Sequence, residues 1–316
     1  MMRPLIILTG PTAVGKTALS VRLAKEIGGE VISADSMQVY RHMDIGSAKI
    51  SPKEMEGVPH YLIDVLDPDE EFNVTLFQKM AKNSVEEIYS HGNIPIVAGG
   101  TGFYIQALLY DIDFKENGED PSIRTGLERL GEEKGAEYLH ALLRDIDPES
   151  AKEIHANNQK RVIRAIEFYR QTGDKISAHN RRERQKESPY DFLYYVVNTD
   201  RARLYERIDR RVELMFERGL VEEVERLKDM GCTRDMVSMQ GLGYKEILGY
   251  LQGRCTLEEA LYIVKRDTRH FAKRQITWFK REPDIIWLNR EDFADQETLL
   301  AFILNHLQKR GIYPYE

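Results

Sequence analysis

The stretch Gly10-Pro-Thr-Ala-Val-Gly15-Lys16-Thr17 matches the G-x-x-x-x-G-K-[ST] phosphate loop, and it stands between an apolar run at residues 5–9 and a helix-forming stretch at residues 16–27. The loop's physics needs that setting. A strand delivers the chain to a glycine turn, backbone N–H groups converge on phosphate oxygens, and the following helix adds its N-terminal dipole. Lys16 contributes a charge and the Thr17 hydroxyl suits Mg2+. Gly10, Pro11, Thr12, Ala13, Val14, Gly15, Lys16 and Thr17 are therefore expected to cradle a polyphosphate.

Strand and helix patterns alternate from there. Residues 31–33 read as a second strand, Asn73 or Thr75 as the cap of a helix ending near Ser90 before Gly92, and residues 94–98 as a buried strand. Gly99-Gly100-Thr101-Gly102 then turns into an apolar helix at residues 103–110. From about 114 to 190 the pattern is charged and helical, at residues 123–130, 136–143 and 159–169, with no convincing strand. Residues 192–197 return to β-branched and aromatic types. A helix follows with Leu204, Ile208, Val212 and Met215 on one face, then a long helix over 257–281, a strand at 285–288 and a helix at 298–307. The expected fold class is α/β: a P-loop NTPase-like three-layer core with a parallel sheet, built from residues 1–113 and 191–316, with an all-helical insertion at 114–190.

At 316 residues and 42% hydrophobic content the chain can bury a full core. Cys232 and Cys255 stand alone, which supports neither a disulfide framework nor a paired-ligand metal site and points to a reducing compartment. The N-terminal apolar run is too short for a signal peptide or a membrane span, so a cytosolic chain that does not engage membranes is expected. A net charge of −7 argues against a nucleic-acid partner only until local charge is counted. Between Lys160 and Lys186 lie nine basic and three acidic residues, and between Lys265 and Arg281 seven basic and one acidic. Each run reads equally as a solvated helix face or a polyanion surface.

A hydrolytic NTPase normally adds a strand ending in a metal-binding Asp and a group that orients the nucleophile. Asp35, after Val31-Ile-Ser-Ala34, and Asp64, after Tyr61-Leu-Ile63, are the candidates for metal ligand or base. Asp35 is the stronger one, because its strand is expected beside the first, with the carboxylate at the same sheet edge as Lys16. Its plainer reading is a cap for the next turn.

Several segments together resemble the bacterial tRNA dimethylallyltransferase (tRNA isopentenyltransferase) family. They are the phosphate loop, Ser33-Ala-Asp-Ser-Met-Gln-Val-Tyr40 with Met43-Asp-Ile-Gly46 and Ala48-Lys49, and Ala98-Gly-Gly-Thr-Gly-Phe-Tyr-Ile105. Further on come Arg161-Val-Ile-Arg-Ala-Ile-Glu167, Leu204-Tyr-Glu-Arg-Ile208, Gly241-Leu-Gly-Tyr-Lys-Glu246 and Lys273-Arg-Gln-Ile-Thr-Trp-Phe279. The likeness runs nearly end to end. It implies that the loop holds the diphosphate of dimethylallyl diphosphate, and that the acceptor is the exocyclic amine of the adenosine immediately 3′ of the tRNA anticodon. On that likeness Asp35 is the general base, Lys16, Thr17 and Mg2+ hold the leaving diphosphate, Arg207 adds positive charge there, and Thr101 contacts the target adenosine. Contacts to the anticodon stem-loop are implied for Asp35, Ser36, Met37, Gln38, Arg124, Lys160, Arg161, Arg164, Gly243, Tyr244, Lys245, Lys273, Arg274 and Gln275, with Tyr244 open to a packing role. Arg266, Arg269 and Lys273 recur at three and four residues and read as one basic stripe. The chain departs from the family pattern at His155-Ala-Asn-Asn-Gln-Lys-Arg161, where relatives usually read His-Pro-Asn-Asp-Pro-Gln-Arg, and at Val14 in place of a small polar residue.

Three other readings share parts of this pattern. A small-molecule or nucleotide kinase shares the loop but requires ATP turnover. A prenyltransferase for free adenine nucleotides has no use for a long basic insertion. An RNA-binding GTPase-like module needs a guanine-reading N-K-x-D motif, which the chain lacks. A monomer without an obligate protein partner is expected.

Overall fold

The computed structural model describes residues 2–114 and 121–313. Residues 115–120 of the expected insertion lie outside the described residues. The chain divides into two compact units, Met1–Leu109 with Pro189–Glu316, and Tyr110–Ser188.

The first unit is built on β1 (Arg3–Thr9), β2 (Gly29–Ala34), β3 (His60–Tyr61), β4 (Ile94–Gly99), β5 (Tyr190–Asn198) and β6 (Ile285–Asn289), all paired in parallel in the order β3-β2-β4-β1-β5-β6. β1 is buried from Leu5 to Thr9 without alternation, as expected of a strand covered on both faces by helices. The helices are α1 (Lys16–Ile27), α2 (Pro52–Met55), α3 (Val74–Ser90) and α4 (Gly102–Leu109) before the insertion. After it come α10 (Arg201–Glu217), α11 (Leu220–Asp229), α12 (Tyr244–Leu251), α13 (Leu257–Phe279) and α14 (Gln296–Lys309). The intervening α5 (Pro121–Lys134), α6 (Ala136–Ile146), α7 (Pro148–Glu153), α8 (Gln159–Thr172) and α9 (Ile176–Arg184) form the second unit.

Local chemistry explains the helix limits. Asn73 takes the Leu76 N–H at 2.9 Å to start α3, Thr256 and Glu259 close a capping box on α13, and Gly28 ends α1 in the left-handed region at φ 63°. One core packs Ile6 and Leu8 of β1, Tyr195 and Val197 of β5, Leu19 and Leu23 of α1 and Ile303 and Leu307 of α14. The second unit has its own core around Leu127, Leu139, Leu143, Val162 and Ile166.

One expectation is corrected. β2 does not lie beside β1: β4 is inserted between them, pairing with β1 at Ile6 to Thr9 and with β2 along its length. The reason is non-local, since two strands at adjacent sequence positions leave room for a third when their connections cross over helices. Asp35 still leaves the C-terminal sheet edge, two strands from the loop.

Candidate active site

The phosphate loop is held peptide by peptide. Gly10 opens it so close to β5 that a Cβ there would lie 2.2 Å from the Val197 carbonyl oxygen. The Lys16 ammonium folds back to donate to the Gly10 and Pro11 carbonyls, each at 2.8 Å. The Thr12 N–H donates to Gln275 Oε1 at 2.9 Å, and Gln275 Nε2 donates to the Gly100 carbonyl at 3.0 Å, which ties α13, the loop and the Gly99-Gly100 turn together. Arg207 Nε donates to the Ala13 carbonyl at 2.8 Å and Arg290 Nη1 to the Val14 carbonyl at 3.0 Å. Ala13 itself sits at φ 63°, a left-handed conformation that costs a non-glycine residue and is here held by its neighbours.

A cleft of about 90 Å3 opens beside the loop. Its lining includes the polar side chains of Lys16, Thr17, Asp35, Gln38, Arg211 and Gln275 and the apolar ones of Val31, Ile50, Ile63, Ala98 and Phe271. Burial, with the charge of Arg211 nearby, pushes the Lys16 ammonium down to about 7, against the opposing pull of Asp35. Arg211 is lowered from its ordinary value by burial as well, with Asp35 again opposing. A site that desolvates two cations around one carboxylate is poised for an anion.

Asp35 closes an Asx turn, its Oδ1 accepting from Met37 N at 2.8 Å and Gln38 N at 3.3 Å; Oδ2 has no hydrogen bond among the described residues. Capping and chemistry therefore coexist in one carboxylate. Gln38 accepts from Ser33 Oγ at 3.1 Å and donates to the Ser47 and Ala48 carbonyls, which fixes the next loop at the cleft wall. That loop is gripped from behind by Glu223 of α11. Its buried carboxylate accepts from Asp44, Ile45 and Gly46 N–H groups at 3.0, 2.8 and 3.0 Å and from the Tyr244 hydroxyl at 2.9 Å.

The expected residues do not all gather at the cleft. Thr12, Lys16, Thr17, Asp35, Gln38 and Gln275 line the one cleft, whereas Arg207 and Thr101 do not. Tyr244 is fully buried, its hydroxyl donating to Glu223 and accepting from the Ser47 N–H at 3.1 Å, so its side chain braces that loop. Gln275 is buried too, and its amide is spent on the loop and the glycine turn. Ser36 and Met37 are half-buried, Gly243 is buried and Lys245 is half-buried. Lys273 and Arg274 are exposed and border a shallow groove with His270, Trp278 and Arg281. The basic stripe is broken: Arg269 pairs with Asp209 of α10 at 2.6 Å and Arg266 with the adjacent Asp267 at 2.8 Å. Asp64 is not in the lining of the cleft and pairs with Lys49, which also binds Asp44 and the Tyr40 carbonyl. Within the second unit Lys160, Arg161 and Arg164 are exposed on α8, and Arg124 is engaged by Glu167 at 2.7 Å. Arg211 is a cleft residue that the sequence did not single out. Its signal was present, one helical turn after Arg207.

The IPP transferase family matches residues 38–282. The chain belongs to the IPP transferase family. A tRNA dimethylallyltransferase of Lachnoclostridium phytofermentans is 59% identical over 98% of this chain and 99% of its own length. One from Acetivibrio thermocellus is 48% identical over 99% of this chain and all of its own. Among solved structures, a full-length tRNA isopentenylpyrophosphate transferase from Bacillus halodurans is 43% identical, covers 98% of both chains and has a TM-score of 0.74. A eukaryotic dimethylallyltransferase acting on tRNA reaches a TM-score of 0.83 at 31% identity, over 99% of this chain and 81% of that one. These IPP transferase structures carry the same P-loop NTPase-like architecture, α/β with a parallel sheet. No described helix of this IPP transferase is long and apolar enough to cross a membrane.

Proposed function

We propose that the chain transfers a dimethylallyl group from dimethylallyl diphosphate to the exocyclic amine of the adenosine immediately 3′ of a tRNA anticodon, releasing diphosphate. The observation that carries this reading is the cleft itself, whose lining brings two cations, a carboxylate with one oxygen uncommitted and several apolar side chains into one space. The loop N–H groups, Lys16 and Arg211 face the charge that builds on diphosphate as the allylic C–O bond breaks, so they stabilise the transition state more than the ground state. Val31, Ile50 and Ile63 offer the prenyl tail an apolar surface. The adenine amine is a poor nucleophile because its lone pair is delocalised; as its nitrogen bonds the allylic carbon, the proton it loses passes to Asp35. Arg207 acts on the diphosphate through the Ala13 carbonyl that it holds.

Mg2+ fits the donor set. Among the described residues no three His, Cys, Asp or Glu side chains gather as a metal cage, and this ion characteristically takes one or two protein oxygens with substrate phosphate oxygens and water. Thr17, an exposed residue in the lining of the cleft, would hold the ion through its hydroxyl, and the ion would neutralise charge on the leaving diphosphate.

The acceptor base has to leave its stack to reach a recessed diphosphate, which costs least in a single-stranded loop. Lys160, Arg161 and Arg164 on α8 and Lys273 and Arg274 on α13 are exposed cations suited to phosphates of the stem-loop. A cytosolic monomer suffices for this chemistry. The test is transfer of labelled dimethylallyl from its diphosphate to unmodified tRNA, with AMP and ATP-only reactions alongside. Label in tRNA alone, dependent on Mg2+ and indifferent to ATP, is the expected result; label in AMP alone, or ATP consumption without label, overturns it.

A further inference from the structure

In a trans peptide the C=O of one residue points opposite to the N–H of the next. Holding a carbonyl on one side of a loop therefore aims the following amide at the other. Arg207 holds the Ala13 carbonyl, which sets the direction of the Val14 N–H, and Arg290 holds the Val14 carbonyl, which sets the Gly15 N–H. Both guanidinium groups border a groove with Thr199 and Arg203, outside the lining of the cleft. The two amides are thus turned away from that groove.

We propose that Arg290 is a positioning residue for the diphosphate, holding the Gly15 N–H in the anion seat through the Val14 carbonyl. This rests on the loop being the diphosphate site. Several features fit Arg290 to that task. It follows β6 directly, where Asn289 pairs with Asn198 of β5, so its backbone is set by the sheet. Its Nη1 lies 2.8 Å from where a Cβ of Gly15 would be, and Gly15 is at φ 97°; the loop apex and the arginine occupy one fitted space that a side chain at position 15 would disrupt. Neither Arg207 nor Arg290 has an ion-pair partner among the described residues, because the nearby Glu291 is taken by Thr199, the Asp200 N–H and Arg203. Burial and the neighbouring Arg290 charge together hold the Arg207 guanidinium below its ordinary value. Two uncompensated guanidinium groups side by side on the loop raise the positive potential at its apex, and an arriving diphosphate relieves that repulsion.

The experiment compares Arg290→Met, Arg290→Lys and Lys16→Met by calorimetric titration with inorganic diphosphate and by steady-state kinetics with prenyl donor and tRNA. Arg290→Met is expected to weaken diphosphate binding on the order of tenfold and to raise the donor KM by a like factor, with the tRNA KM and the melting temperature unmoved. Arg290→Lys should recover part of the loss, since an ammonium can reach one carbonyl but lacks the planar fork. Diphosphate affinity of Arg290→Met within twofold of the unmodified protein, or a parallel rise in both KM values with a lowered melting temperature, overturns the assignment. Lys16→Met separates the two levels. If it loses diphosphate while Arg290→Met does not, only the role of Arg290 fails; if Lys16→Met keeps diphosphate, the reading of the loop fails first.

Discussion

In the α/β unit burial holds the Lys16 and Arg211 cations below their ordinary values near Asp35, and the Lys49 side chain is 4% exposed between Asp44 and Asp64, whereas Lys160 and Arg161 of the helical unit stand in solvent on α8. A buried cation acts at short range in fixed geometry, and its strength comes from the low local dielectric. An exposed one works over a Debye length and is screened by salt. The first arrangement suits one small anion at a reacting bond, the second a long polyanion that has to be gathered.

That contrast breaks if the buried site tolerates change. Replacing Asp35 by Ala is expected to lower kcat a hundredfold or more while leaving diphosphate affinity as it was, measured by single turnover and calorimetry. Near-normal turnover would remove the general-base role.

Next in size is the pH response of Lys16. With its ammonium held at about 7 in the empty site, the group is neutral above that pH, and a bound diphosphate has to bring a proton with it. Diphosphate affinity should be flat below pH 7 and fall above it, by up to about tenfold per unit. The difference from Lys16→Met at each pH cancels the ligand's own titration. A slope of the same size in the variant would contradict the assignment.

The exposed side of the comparison predicts a smaller, salt-dependent effect. Changing Lys160, Arg161 and Arg164 together to Gln should weaken tRNA binding on the order of tenfold at moderate salt and reduce the slope of log affinity against log salt by about 2 to 3, with kcat at saturating tRNA unchanged. An unaltered slope means that α8 does not meet phosphate.

The smallest effect concerns the frame of the helical unit. Buried Asp147 accepts from the N–H and hydroxyl groups of both Ser150 and Ser177; burial alone would raise its carboxyl, but these bonds hold it below the ordinary value. Its contribution is present above the unfolded carboxyl range near about pH 4 and is lost as pH falls through the lowered native value. Asp147→Asn should cost about 1 kcal/mol by chemical denaturation at neutral pH and flatten that acid loss.

Much of this architecture follows from short-range chemistry written in the chain. The phosphate loop, the capping of α3 by Asn73, the strand at β1 and the helices of the insertion are each set by neighbours a few residues apart, through periodicity, capping and glycine conformation. The expected insertion bounds of 114 and 190 compare with 110 and 188 for the second compact unit. Strand order, the partners of buried charges and the bracing of the loop were not legible in this way. β4 enters between β1 and β2, Arg269 meets Asp209, Glu223 gathers the 44–46 amides, and Arg207, Gln275 and Arg290 reach back across the chain to residues 12–14. By itself the sequence determined which chemistry is present and which local shapes carry it. Only the tertiary structure decided which polar groups lose water and what replaces it, because desolvation and long-range hydrogen bonding depend on segments that meet only once the sheet is assembled.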